Sequence, residues 1–144
     1  MTENLDLQCA SHAKEIAEVI KEEDTIGKAL GVLQEDGMYA FYLYLLALEK
    51  KAKYQEKAKA IINQSSKLLK KYNLISNDSI TAVNVRDIIA PLTNNLDKLL
   101  FAKELLERTL VYARYHAKAL HTPDPSQEGN SPNVAQEGNK EGEE

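Results

Sequence analysis

An uninterrupted apolar stretch, Met38 to Leu48, constrains the fold of this chain more than any other feature. Its eleven residues carry no charge and include four of the nine aromatic side chains, Tyr39, Phe41, Tyr42 and Tyr44. As a helix the stretch would be about 16 Å long, roughly half of a bilayer core, so a membrane span is not expected. Alanine, leucine and methionine favour helix over strand. We therefore predict that this stretch is the buried central helix of a small bundle.

Amphipathic patterns on both sides predict further helices, and no strand pattern is convincing. The segments with helical spacing are 5–22, 26–35, 38–48 with an extension into 49–53, 54–72, 84–91 and 95–120. Segments 38–53 and 54–72 could form one long helix or two helices with a kink, and a compact bundle favours the second. Asp24 or Thr25 is the candidate N-cap of the second segment, and Gly37 is the candidate left-handed residue that closes it. A break near residues 51–53 should turn the chain back. The fold class expected is an all-α, single-domain bundle of five or six helices.

Smaller signals mark the ends of the later helices. Residues 73–77 have the composition of a loop, and residues 79–83 could form a short helical turn. Asn84 is a candidate N-cap for a short helix that Pro91 should end or kink, and Asn94 or Asn95 is a candidate cap for the last helix. The last helix should bury Leu99, Ala102, Leu106, Leu110, Ala113 and Ala117. The first should bury Leu5, Cys9, His12, Ile16, Val19 and Ile20.

Charge is distributed unevenly along the 144 residues. The acidic segment, residues 122–144, holds six acids and one lysine, whereas residues 1–121 carry 17 basic and 16 acidic side chains. Because the acidic segment is rich in proline, glycine, serine and amides, it is expected to be disordered beside a folded domain of residues 1–121.

Few residues suggest chemistry. The single cysteine, Cys9, fits a reducing compartment, and no secretion leader opens the chain, so a cytoplasmic location is expected. His12 lies on the apolar face of the first helix and should be a packed, hydrogen-bonded residue. No metal site, cofactor site or phosphate-binding loop is expected.

Lysines give the strongest functional signal. Between residues 50 and 71 there are eight lysines and one acid. Lys53, Lys57, Lys67 and Lys71 fall within a sector of roughly 80° that flanks the apolar face of the predicted helix. Such a row could contact several phosphates of a nucleic acid without reading its sequence. The alternative is an ordinary solvated helix face.

The last helix offers a second patch, away from its predicted core face. Arg, Tyr and Val side chains together are typical of a protein contact, and the predicted subunit-interface residues are Arg108, Val111, Arg114, Tyr115 and Lys118. The same region permits an enzymatic alternative. Arg114 and His121 are spaced as in the arginine–histidine motif of HEPN ribonucleases, which are also small helical domains.

Three places in the chain resemble the small α-helical subunit of the type III-B CRISPR RNA-targeting complex, the Cmr complex. They are the turn at residues 36–38 followed by Phe41 and Leu45, the pattern of residues 26–33 that leads into it, and the closing segment 102–120. Members of that family often carry a tryptophan in the last helix, where this chain has Tyr112.

The resemblance implies a non-catalytic protein of antiviral defence. It implies copies of this subunit stacked along the inner filament of the effector, in contact with guide RNA, target RNA and the backbone subunit, while other subunits cleave. No membrane partner is implied. The related small subunit of the type III-A complex is similar in role and stays open, as does a helical adaptor that binds only protein.

Overall fold

A computed structural model describes residues 4–121, and these fold as five α-helices without a strand. The helices are α1 (Leu5–Val19), α2 (Glu23–Glu49), α3 (Gln55–Lys71), α4 (Val85–Thr93) and α5 (Leu96–His121), with a 3₁₀ turn at Ala52–Tyr54 before α3. The all-α prediction of five or six helices is confirmed. The expected break after the apolar stretch is confirmed as well. The acidic segment lies outside the described residues.

Gly37 divides α2 into a first arm, residues 23–36, and a second arm, residues 38–49. Its φ of 94° and ψ of −178° are not helical, and only glycine adopts them readily. Tyr44 of the second arm lines a groove together with Lys28 and Val32 of the first arm. In a straight helix Lys28 and Tyr44 would be about 24 Å apart, so the arms must fold back toward each other. The positive φ agrees with the expected helix end, but the extended ψ differs from the left-handed helical value.

The apolar stretch supplies the centre of the core from one of its sides only. Phe41, Tyr42 and Leu45 are fully buried, and the Tyr42 hydroxyl lies 2.8 Å from Ser65 Oγ on α3. Burial raises the pKa of Tyr42 far above its usual value. Tyr39 and Leu43, on the opposite side, are each about two-fifths exposed. The prediction of a helix buried all round is therefore wrong for that side, because α3, α4 and α5, which pack against α2, do not cover it fully.

Around this centre, α1 and α2 each pack against both α3 and α5, while α4 covers part of α2 and α5. Five of the six residues expected in the core of α5 are buried, and Leu99 is half-buried. In α1, Val19 is exposed, contrary to expectation, because the helix ends there and the chain turns into α2.

The helix ends follow local hydrogen bonding. Asn95 Oδ1 accepts a hydrogen bond from the Lys98 amide at 3.1 Å, so the cap predicted for α5 is confirmed. The cap predicted for α2 is wrong, because Glu22 takes that position and accepts a hydrogen bond from the Thr25 hydroxyl. Asn73, with φ of 58°, closes α3, and the Leu74 amide bonds back to Leu69 O in the manner of a Schellman motif.

The connection from α3 to α4 is a loop that ends in one hydrogen-bonded turn, in which the Val85 amide donates to Thr81 O at 2.9 Å. Asn84 precedes α4 as expected, but its Oδ1 accepts from the Thr81 amide of the loop instead of capping the helix. Pro91 lies inside α4, which ends at Thr93, two residues further on. Within residues 4–121 no helix is long and apolar enough to cross a membrane.

Two glycines of α2 should respond oppositely to alanine. A Cβ at Gly31 would meet nothing within 4 Å, so Gly31→Ala should stabilise the fold by about 0.5–1 kcal/mol. Gly37→Ala should destabilise it by about 1–3 kcal/mol, because the substituted residue must keep a strained φ. Urea denaturation of the two variants and the parent measures both effects. Changes of the same sign and size in the free energy of unfolding would contradict the argument that the positive φ of Gly37 requires glycine.

Candidate nucleic-acid interface

The outer side of α3 carries a stripe of lysines on a rigid helix. Lys59, Lys67 and Lys70 are exposed, and Asn63 continues the same line at helical spacing. We call these three lysines the lysine stripe. It extends about 16 Å along the helix axis. The opposite side of α3 is buried through Ala58, Ile61, Ile62, Ser65, Ser66, Leu68 and Leu69. Packing of this buried side fixes which lysines point outward.

One flank of α3 is covered by α1, which runs antiparallel to it. Lys71 Nζ donates to Gln8 Oε1 at 2.5 Å near one end of the contact. His12 Nδ1 donates to Gln64 Oε1 at 2.8 Å in the middle. The expectation of a hydrogen-bonded His12 is thereby confirmed, although its ring is half-buried rather than fully enclosed.

At the other end of this flank, Lys57 forms an ion pair and hydrogen bond with Glu22, in the turn between α1 and α2. Lys57 and Lys53 also lie over the ring of Tyr54, each with Nζ 5.6 Å from the ring centroid. The Lys57 side chain is only about one-quarter exposed, at 24%. This lysine therefore links α3 to the α1–α2 turn, and its charge is already paired with Glu22.

The predicted row is thus split by the fold. Lys57 is half-buried and paired with Glu22. Lys53, Lys67 and Lys71 are exposed, although Lys53 lies over the Tyr54 ring and Lys71 is hydrogen-bonded to Gln8. The row flanks the apolar face of α3, and a flank is where a neighbouring helix packs. Their role in RNA binding stays a prediction.

Lys59 and Lys70 were missed by the sequence analysis. Lys59 and Lys70 lie about 100–120° from the centre of the buried face, on the flank of α3 that α1 does not cover, whereas Lys67 lies nearly opposite that centre. The helical wheel alone could not have identified them, because Lys71 lies farther from the buried face than either residue and is nevertheless engaged by Gln8 of α1.

The acid that neutralises Lys57 is electrostatically perturbed. Its hydrogen bond with Lys57 holds the pKa of Glu22 below its usual value of 4.5, with a smaller opposing effect of burial and a further lowering by the Thr25 hydroxyl. Because the side chain of Glu22 is 46% exposed, solvent screens this ion pair. The pair should therefore contribute only about 0.2–1 kcal/mol to the free energy of unfolding. The pair orients Lys57 more than it stabilises the fold.

Four of the five residues predicted for the subunit interface on α5 lie together in the structure, and Arg108 does not lie with them. Val111, Arg114, Tyr115 and Lys118 line a single groove with Glu23 of α2. Arg114 Nη2 lies 3.3 Å from Glu23 Oε1, and Lys118 Nζ lies 3.9 Å from Glu23 Oε2. Tyr115 is 66% exposed and is the most accessible aromatic side chain of the groove.

Arg108 lies on the other side of α5, toward α1. Its Nη1 lies 2.8 Å from Asp6 Oδ1, and its Nη2 lies 3.2 Å from Glu104. The Tyr112 hydroxyl donates to the same Asp6 oxygen at 3.3 Å. Arg108 therefore holds α1 against α5, and its assignment to a subunit interface stays a prediction.

The arginine of the ribonuclease alternative is engaged within the fold. The Arg114 guanidinium binds Glu23 and lies against Gly27, where an added Cβ would be 3.6 Å from Arg114 Nε. The side chain of His121 lies outside the described residues. Among residues 4–121, no three His, Cys, Asp or Glu side chains are grouped as metal ligands would be.

Comparisons with known proteins identify no relative. No family model, no curated protein and no solved structure matches this chain.

The Glu22–Lys57 pair should make stability depend on pH in one window. Since the pKa of Glu22 is lower in the folded state, the pair stabilises the fold above about pH 4.5 and loses its effect as the pH falls through the folded-state pKa. Glu22→Gln should therefore cost about 0.2–1 kcal/mol at neutral pH and nothing in stronger acid. Urea denaturation at several pH values measures the difference. Glu18→Gln, at an exposed position of α1, is the matched control.

Proposed function

We propose that this protein is a non-catalytic small subunit of a type III-B CRISPR effector complex and contacts the backbone of guide and target RNA through α3. The observation that carries the proposal is the lysine stripe. Lys59, Lys67 and Lys70 stand on one side of a rigid helix, and none of them has an ion pair among residues 4–121. Lysines held in this way attract phosphates without sequence preference.

The surroundings of the stripe strengthen the case for phosphate binding. Lys53 and the adjoining Lys50 and Lys51 are also exposed, so positive charge continues from the stripe into the turn before α3. Glu56 is the one acid in this part of the chain. A run of fixed positive charge over more than 20 Å can displace counterions from several phosphates at once.

The residues behind the type III-B resemblance have packing roles in the fold. Gly37 redirects α2, Phe41 and Leu45 fill the core behind it, and segment 102–120 provides the core face of α5. These residues therefore act in packing, as the resemblance implies for them. The role in antiviral defence and the choice of type III-B over type III-A follow from the resemblance and belong to the proposal. The cytoplasmic location, expected from the single cysteine, belongs to the proposal as well.

The groove on α5 is the surface we propose for neighbouring subunits, including the backbone subunit and further copies of this chain. It combines an exposed aromatic ring, an aliphatic side chain and charges of both signs at Tyr115, Val111, Arg114 and Glu23. Such mixtures of aromatic, aliphatic and arginine side chains are enriched at protein interfaces.

Charge reversal of the stripe should weaken RNA binding. In the full chain, replacing Lys59, Lys67 and Lys70 with glutamate should lower the affinity for a fluorescent RNA of about 20 nucleotides by about 100-fold at about 50 mM salt. The slope of log affinity against log salt should fall by about 2, because each lost contact with a single strand removes about 0.7. Fluorescence anisotropy over a salt series measures both values.

A triple replacement of Lys14, Lys28 and Lys98 with glutamate is the matched control, since these exposed lysines lie on α1, α2 and α5. It changes the net charge equally and should weaken binding much less. An equal loss of RNA affinity in both variants would show that net charge alone causes the effect. It would exclude the lysine stripe as the binding site. Metal-independent RNA cleavage that disappears in Arg114→Ala would overturn the non-catalytic assignment.

Tyr115→Glu should abolish co-elution of the full chain with a type III-B backbone subunit in size-exclusion chromatography, because a buried, unpaired carboxylate opposes the contact. Val83→Glu, at a loop position that is 93% exposed, is the control and should leave co-elution unchanged. Co-elution of Tyr115→Glu at the level of the parent would exclude the α5 groove as the interface. Co-elution with the type III-A counterpart alone would reassign the complex.

A further inference from the structure

The turn between α1 and α2 joins the start of α3 to the last turns of α5. Glu22 is paired with Lys57 near the first turn of α3, and the next residue, Glu23, is paired with Arg114 and Lys118 of α5. Consecutive Cα atoms are 3.8 Å apart, so these three elements meet at one end of the bundle. The chain therefore leaves the described fold, at residue 121, close to the end of α3 where the exposed lysines begin.

The segment that starts there has the opposite charge to α3. Residues 122–144 carry a net charge of −5 from Asp124, Glu128, Glu137, Glu141, Glu143 and Glu144 against Lys140. Four of the six acids lie in its last eight residues. Twenty-three residues can span at most about 76 Å, whereas Lys53 and Lys70 are about 26 Å apart along the helical path. The four acids at positions 137–144 begin 16 residues beyond residue 121, a reach of about 53 Å, so they can contact any lysine of the stripe, whereas Asp124 reaches only about 10 Å.

The lysine stripe is available to such a ligand. Lys59, Lys67 and Lys70 are exposed and have no ion pair among residues 4–121, whereas Lys57 already has Glu22. A covalently attached partner acts at an effective concentration that reaches the millimolar range for short linkers, so even a weak electrostatic contact is populated. Salt screens such a contact because the charges are at the surface.

We propose that the acidic segment 122–144 lies on the lysine stripe of α3 and competes there with the RNA backbone. This inference rests on the proposed function for its consequence, which is that RNA must displace the segment. The segment then suppresses binding of isolated or low-affinity RNA. RNA held in place by other subunits displaces it, since a dense row of phosphates binds the lysines more strongly than six dispersed carboxylates.

Neutralising the segment within the full chain tests the contact. The variant carries Asp124→Asn together with Glu→Gln at positions 128, 137, 141, 143 and 144. Its affinity for an RNA of about 20 nucleotides should be about 3- to 10-fold higher than that of the parent at about 50 mM salt, with little difference at about 500 mM. An amide-swapped variant, Asn130→Gln with Gln136→Asn, is the control and should bind as the parent does.

A second measurement separates contact from simple repulsion of RNA. Without RNA, the backbone amide resonances of residues 59–70 should shift between the parent and the neutralised variant, and those of α4 should not. The same shifts should be absent when Lys59, Lys67 and Lys70 are glutamates. A gain in RNA affinity without these shifts would overturn the proposed contact, as would shifts spread evenly over the bundle.

Failure of the contact and failure of the proposed function are distinguishable. Unchanged RNA affinity and unchanged amide resonances would remove the contact and leave the RNA-binding proposal standing. RNA binding absent from the parent and from the neutralised variant would remove the proposed function. In that case the amide shifts alone decide whether the acidic segment lies on α3.

Discussion

At Gly37 the backbone takes a conformation that is readily open only to glycine, and the packing of the bundle depends on the change of direction that results. Without it, the two arms of α2 would continue as one rod of about 40 Å, about as long as α5 and much longer than α3, which spans about 26 Å. With it, the first arm reaches α5 through Glu23, and the second arm places Phe41 and Tyr42 in the core against α3. One dihedral angle thus lets a single helical segment face both α3 and α5.

Burial and local hydrogen bonding at the α1–α2 turn determine which charges remain for a ligand. Glu22 and Glu23 are neighbours in sequence but serve different helices, α3 and α5 respectively. The side chains of Lys57 and Arg114 are consequently oriented by these two ion pairs within the fold. The lysine stripe and Tyr115 are exposed and have no such partner within residues 4–121, so they remain accessible to other molecules. The proposed RNA-facing and subunit-facing surfaces are therefore connected through one short turn.

Helical spacing was sufficient to predict the all-α class, the buried face of α5, and the loop after α3. These features depend on residues close in sequence, where apolar periodicity and turn residues act directly. The exposed side of the apolar stretch, at Tyr39 and Leu43, could not be predicted, because it depends on which helices happen to cover α2. The same limit applied to the lysines. Spacing placed Lys57 and Lys71 on a flank, but only the position of α1 showed that Glu22 and Gln8 would engage them.

Phosphate contacts and the bend in α2 tolerate substitution to different degrees. A lysine that attracts phosphate can move by one helical turn and still lie on the same exposed side of α3, so the stripe can migrate without loss of charge. Position 37 has no such freedom. Every single-nucleotide change of a glycine codon that alters the residue and does not stop translation adds at least a Cβ atom where φ is 94°. Over long divergence, the bend should outlast the individual lysines that it indirectly positions.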